Sequence, residues 1–205
     1  MPNITRPVRA SSALGAYRYG GFTGIIGAAI AANSEFFQFR WNPTTTSNLC
    51  VIRRVSISAS VSTTFFAAGV PLQLDMVKST AWTAAGTGGT AVAPAATMKR
   101  RTSLFGSSLI ASGDIRIATT AALGAGTKTL EANSLSAVAV GGPITASLNG
   151  QILKNHPMFE TYVTEGDYPL VLEAAEGFSL RAVAVPATGT WTAAVTVDWT
   201  EVGSY

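Results

Sequence analysis

In LCVIRRVSISASVS (residues 49–62) apolar side chains recur at every second position. Val51, Val55, Ile57, Ala59 and Val61 fall on one face, and Arg54, Ser56, Ser58, Ser60 and Ser62 on the other, with Arg53 interrupting the apolar side near its start. Successive side chains of an extended strand point to opposite sides, whereas a helix would scatter these groups around its circumference. The same period runs through SEFFQFRWN, where Phe37, Phe39 and Trp41 share a face opposite Phe36, Gln38 and Arg40, and through Leu72, Leu74 and Met76 against Gln73 and Asp75. Further strand candidates lie at 114–119, 135–140, 168–172, 178–185 and 191–202, separated by GG-P, EGD and EGF turns. A single helical turn near 150–155 is the one exception, and TAAGTGGTAVAP (83–94) reads as a loop.

About eight strands with short connections predict an all-β chain, a single β-sandwich of Greek-key or jelly-roll type. Its expected core comprises Phe37, Phe39, Trp41, Val55, Ile57, Leu72, Leu74, Leu170, Leu172, Phe178, Leu180, Val195, Val197 and Trp199. The sandwich is expected over residues 34–205, preceded by an extended N-terminal arm over 1–33 that packs outside its own domain. Within that arm GIIGAAIAA (24–32) falls well short of the ~20 apolar residues a membrane-spanning helix needs.

Charged residues make up 12% of the chain, about half the ~25% of an ordinary soluble domain. Such a surface suits either burial against other subunits or a small-residue β domain standing alone. DIRIATTAALGAGTKTL (114–130), rich in Ala, Thr and Gly, looks made for close contact with another protein. Charge is also unevenly spread: residues 1–102 carry ten Lys/Arg against Glu35 and Asp75, a net +8, and residues 103–205 carry a net −5. This predicts either a phosphate-binding surface or basic groups that meet acidic ones such as Glu160, Glu165, Asp167, Glu173 and Glu176, within the sandwich or on a neighbouring copy. Arg6, Arg9, Arg18, Arg53, Arg54, Lys99, Arg100 and Arg101 are the candidate assembly contacts.

Catalytic patterns are missing. His156 is the sole histidine, in a stretch read as a loop, and no GxSxG elbow accompanies it. GTGG (86–89) lacks the GxxxxGK[ST] pattern of a phosphate-binding loop. Glu173 and Glu176 flank a turn and are expected to face solvent. Cys50, the only cysteine, rules out an intrachain disulfide and a cysteine metal site; its strand setting predicts a small buried hydrophobe. No enzyme activity, cofactor, metal or small-molecule substrate is expected, and neither a nucleic acid nor a membrane partner. From a different class, a carbohydrate-binding sandwich would use exposed Trp82, Trp191 or Tyr168 as sugar platforms.

KSTAW, GTGGTAV, RRTSLFGSSL, DIRIATTAALGAGTKTL, DYPLVLEAAEGFSLRA and VTVDWTEV together resemble a family of small structural proteins of tailed bacteriophages, over roughly residues 34–202. The resemblance implies a virion β-sandwich. It points to a capsid cement or decoration protein that contacts copies of itself and a major capsid protein, in virions assembled in the host cytoplasm. A tail or head-to-tail connector component is the alternative.

Overall fold

The computed structural model describes the chain except residues 1–12, 28–29, 63, 68, 94–98, 101–105, 143–149, 162–167 and 204–205. The described residues form two antiparallel sheets packed face to face and contain no helix. Sheet A holds β1 (Ala13–Phe22), β2 (Ile26–Gly27), β4 (Leu49–Val61), β7 (Lys99–Arg100), β11 (Gly150–Glu160), β12 (Leu170–Leu172) and β14 (Thr190–Val202). Its order is β11-β4-β14-β1-β7, with β12 also beside β4 and β2 beside β14. Sheet B holds β3 (Ser34–Trp41), β5 (Leu72–Ala84), β6 (Thr90–Ala91), β8 (Ile115–Ile117), β9 (Thr127–Leu130), β10 (Ser136–Val140) and β13 (Glu176–Ala184). Its order is β10-β5-β13-β3-β8-β6, with β9 also on β5.

Aromatic rings join the sheets. Tyr19 stacks on Phe37 with centroids 5.9 Å apart, Phe36 meets Trp191 edge-on at 5.4 Å, and Phe39 meets Trp199 edge-on at 5.4 Å. Burial of each such side chain contributes roughly 1.5–3 kcal/mol, and ring geometry adds about 0.5–1.5 kcal/mol per pair. Apolar burial therefore drives the packing, and the ring contacts set how the sheets align. Of the expected core residues all are buried except Leu170, which packs partly buried against the cluster.

Two bulges adjust which residues enter that core. Between β13 and β3 the register shifts so that Leu180 faces Phe37 and Arg181 faces Glu35, leaving Phe36 as the extra residue. Phe36 and Phe37 both enter the core, although strict alternation placed Phe36 with Gln38, and Glu35 shares Gln38's side of the sheet. In β4 the partner of Trp199 is Ile52 and that of Asp198 is Arg54, so Arg53 is extra. Cys50 and Ile52 thereby join Val55 and Ile57 in the core cluster, while Val51 is buried outside it.

Three further expectations are corrected. Residues 13–22 are not an outlying arm: β1 lies between β14 and β7, and Tyr17 and Tyr19 are core residues. A Cβ at Gly15 or Gly21 would collide with the Tyr17 or Tyr19 ring, so the glycines that made this stretch look loose make room for its tyrosines. Residues 150–155 are strand, not a helical turn, and His156 sits half-buried within β11. Three register irregularities against β4 break the alternation of β11, and as an edge strand it accepts Pro157, which has no N–H to give. Within 83–94, Ala84 closes β5 and Thr90–Ala91 form β6.

At one end of the sandwich Glu201 is fully buried. Its carboxylate accepts hydrogen bonds from Ser108 Oγ (2.5 Å), the Leu109 amide (3.0 Å) and Trp199 Nε1 (3.1 Å), holding the segment around Ser108 against β14. Burial raises its pKa above the ordinary 4.5 despite those donors. Burial, and then the charge of Glu201, push the Cys50 thiol well up, so Cys50 is the inert buried group its strand setting predicted.

Removing residues 1–22 deletes a central strand and two core tyrosines; the truncated chain is expected to lose its cooperative urea transition, and an unchanged transition would contradict this placement. Glu201 generates a second expectation. Its folded pKa lies above its unfolded one, so its stabilising contribution is complete below about pH 4.5 and is lost as pH rises through the folded value. Glu201→Gln cannot ionise, so its stability relative to wild type should climb as pH rises from below 4.5 and then level off, as read by urea denaturation across pH.

Candidate functional site

Of the sequence-predicted basic residues, Arg18, Arg53, Arg54, Lys99 and Arg100 belong to strands of sheet A. Register pairs Lys99 with Arg18, Arg18 with Asp198, Asp198 with Arg54 and Arg54 with Glu160, so one row of five charged positions crosses β7, β1, β14, β4 and β11. Arg18 grips Asp198 bidentately, Nε to Oδ1 and Nη2 to Oδ2, both at 2.7 Å. The hydrogen bonds to Asp198 raise the Arg18 pKa against a small burial cost. Arg54 and Glu160 form a looser pair at 3.8 Å. Opposite-sign neighbours across strands fix register more than they add stability, because exposed pairs contribute only ~0–1 kcal/mol.

Arg100 pairs with Tyr17 one position from this row, and Arg53 occupies the bulge beside it. Arg6, Arg9 and Arg101, with Glu165 and Asp167, lie outside the described residues. The structure therefore brings Arg18, Arg54 and Lys99 into one row, with Arg53 and Arg100 adjoining.

The charge imbalance between the halves is matched inside the fold. The ion pairs Arg18–Asp198, Arg40–Asp114, Arg54–Glu160, Lys78–Glu176, Lys128–Glu35 and Arg181–Asp75 each join a residue before position 102 to one after it. Glu176 is half-buried in its 3.0 Å pair with Lys78, not solvent-facing as expected, while Glu173 is exposed.

Sequence reasoning missed a second constellation, on the side of sheet B away from the core. Oε2 of Glu35 accepts three hydrogen bonds there: from Lys128 Nζ (2.5 Å), Gln38 Nε2 (2.6 Å) and Ser179 Oγ (2.8 Å). Lys128 Nζ also donates to Ser179 Oγ (3.0 Å) and lies 3.9 Å from the centroid of the Trp82 ring. The Lys128 side chain is only 2% exposed. Burial lowers its pKa, Glu35 opposes that shift, and the charge of Arg181 adds to it. Arg181 itself holds Asp75 through two bonds of 3.0 and 2.5 Å, and Ser134 Oγ donates to the same carboxylate at 2.6 Å. Beside them Arg40 and Asp114 pair at 2.9 Å; burial raises the Asp114 pKa and Arg40 opposes it. The available signal was a set of polar residues alternating with aromatic ones on β3 and β13. Alternation alone reads such residues as solvent-facing.

The segment 118–127 helps to cover this layer. The Leu123 amide bonds the Glu35 carbonyl at 2.8 Å, the Gly124 carbonyl accepts from Gln38 Nε2 at 3.0 Å, and the Thr87 and Gly124 backbones pair with each other. Its small residues let two loop backbones lie against β3 within this chain. A Cβ at Gly86 would strike Gln38 Oε1 and the Gly124 carbonyl, and one at Gly177 would enter the Trp82 ring. Trp82 and Trp191 are each 1% exposed and offer no sugar platform, which leaves Tyr168 as the exposed member of that trio. Among the described residues no group of three or more His, Cys, Asp or Glu is placed to hold a metal ion.

Gly86→Ala forces the Gln38 amide or the Gly124 carbonyl to move, and overpacking of this kind costs typically 1–3 kcal/mol. A thermal melt should show a corresponding loss, whereas Gly27→Ala, which meets nothing within 4 Å, should not.

No protein-family model, curated protein or solved structure matches the chain.

Proposed function

We propose that this protein is a non-enzymatic structural protein of a virion, a capsid cement or decoration protein that stabilises a shell through contacts between subunits. The observation that carries the reading is the strand order. The long strands run β1-β14-β4-β11 in one sheet and β3-β13-β5-β10 in the other, so each sheet alternates strands from the two ends of the chain. That interleaving supports the jelly-roll form of sandwich, an architecture used by viral shell proteins and by lectins. Fold alone does not assign function. Burial of Trp82 and Trp191 weighs against the lectin branch, and the likeness to phage structural proteins favours the shell.

Matched internal charge supports subunit contact over phosphate binding, because Arg18 and Arg54 of the basic row already face carboxylates within the fold. The partner-facing surface in this reading is the outer side of sheet A. There the charged row crosses a field of small side chains, including Ser58, Ser60, Ala194 and Thr196. A surface of that kind admits close approach of another backbone, and its charges orient the approach.

Reversing Lys99, which pairs with Arg18 in the outer row, to Glu should raise the protein concentration needed for self-association or shell attachment severalfold, as read by sedimentation velocity and by attachment to purified shells. Duplex DNA should compete poorly. Tight DNA binding with a salt slope of about −0.9 per neutralised phosphate, abolished by the same reversal, would overturn the reading in favour of a genome-facing protein. Copy number in purified virions separates shell placement from tail placement.

A further inference from the structure

The buried group around Glu35 holds more chemistry than a structural ion pair requires. An amine, a carboxamide and a carboxylate meet there. Lys128 Nζ and Gln38 Nε2 each lie within one hydrogen bond of a single atom, Glu35 Oε2, at 2.5 and 2.6 Å. Lys128 is 2% and Glu35 6% exposed at the side chain, and Gln38 is buried. The orientation of the Gln38 amide is fixed by its contacts, since Nε2 also donates to the Gly124 carbonyl, which can only accept. Its carbonyl oxygen, Oε1, is buried without a hydrogen-bond partner. No donor therefore reaches the oxygen on which charge develops when the carbonyl carbon is attacked, so proton delivery by Glu35 to the departing nitrogen has to carry the step.

We propose that Lys128 and Gln38 form an intramolecular isopeptide bond, with Glu35 carrying the protons. Lys128 Nζ passes one proton to the Glu35 carboxylate and becomes a neutral amine. Its lone pair attacks Cδ of Gln38, forming the C–Nζ bond. The C–Nε2 bond then breaks, and Glu35 delivers a proton to the departing nitrogen while taking one from Nζ. The products are a secondary amide, one molecule of ammonia and a protonated Glu35. Atoms and charge balance, and no oxidant, metal or co-reactant is consumed.

The surroundings act on the proton transfer and on the placing of the amine. Desolvation favours the neutral amine, as does the nearby charge of Arg181, whereas Glu35 favours the ammonium; the proton transfer removes both charges of the pair together. Ser179 Oγ, bonded to both Nζ and Oε2, and the Trp82 ring over Nζ hold the amine in place. Water is largely kept from the group by the strands beneath and by the loops containing Gly86 and Gly124. The bond would tie β9 to β3 and so staple the 118–127 segment onto sheet B, in a chain whose single cysteine can form no disulfide within it.

The test is the intact mass of the full chain, measured under denaturing conditions after the folded protein has stood at neutral pH. The expected mass is lower than the sequence mass by one ammonia, with a branched proteolytic peptide joining the segment containing Gln38 to that containing Lys128. Lys128 should then resist amine acylation even when unfolded. Glu35→Gln should restore the mass calculated for its own sequence. If that variant does not fold, the wild-type mass and branched peptide decide alone. An unshifted wild-type mass, a loss of water in place of ammonia, or a branched peptide between other residues overturns the proposal.

Discussion

Strand β3 is buried on both faces, and much of the remaining structure follows from that constraint. From Glu35 to Trp41 no residue exceeds 9% exposure. The inner face can be aromatic: Phe36, Phe37 and Phe39 meet rings of sheet A and β13, and Trp41 lies in the same core cluster. The outer face carries Glu35, Gln38 and Arg40, which cannot be left unpaired away from water. Each is answered by a group from a distant segment: Lys128 for Glu35, the Gly124 carbonyl for Gln38 and Asp114 for Arg40. The polar layer is thus a condition of burying β3 twice, and the segments that supply its partners also cover it.

That requirement explains the composition of the covering segments. Two loops must bring backbone against β3 and against each other, so positions 86, 124 and 126 have no room for a side chain. At Gly126 the backbone also takes φ +72°, a left-handed conformation that glycine adopts without strain. Ala, Thr and Gly are what a cover needs when the groups it protects are already matched.

Much of the architecture was legible in the residues. Period-two alternation located β3, β4, β5, β13 and β14, because their core faces carry large apolar groups and their opposite faces carry polar ones. It failed where that contrast is weak or broken. The two tyrosines of β1 are flanked by glycines, and β11 carries Pro157 together with three register irregularities on an edge. The bulges at Phe36 and Arg53 each change which face a side chain joins, and no local pattern signals a bulge whose cause lies on the partner strand. In the charged row the signal was sign asymmetry between the halves, which named Glu160 among the acidic partners but not Asp198. The Glu35 cluster was invisible because Lys128 lies far along the chain in a segment read as a contact surface for another protein.

The two sheets differ in how their outer faces are completed. On sheet B the outward residues Gln38, Asp75, Ser79 and Ser179 are at most 2% exposed under the chain's own loops. On sheet A, Ser58, Ser60, Thr192, Ala194 and Thr196 are half-buried, and Arg18 and Phe22 stand exposed. Apart from Gln38 Oε1 and Ser79 Oγ, which are buried without a hydrogen-bond partner, these sheet B groups are paired within the chain, so a partner docking there would have to displace an existing network and would gain little in return. Sheet A offers small side chains, a register-setting row of charges and the open side chain of Phe22, 81% exposed. Docking on it desolvates few groups that need new partners, and it adds apolar contact at Phe22. On the proposed assembly role, this asymmetry selects sheet A as the face that meets other subunits and leaves sheet B as the side braced from within.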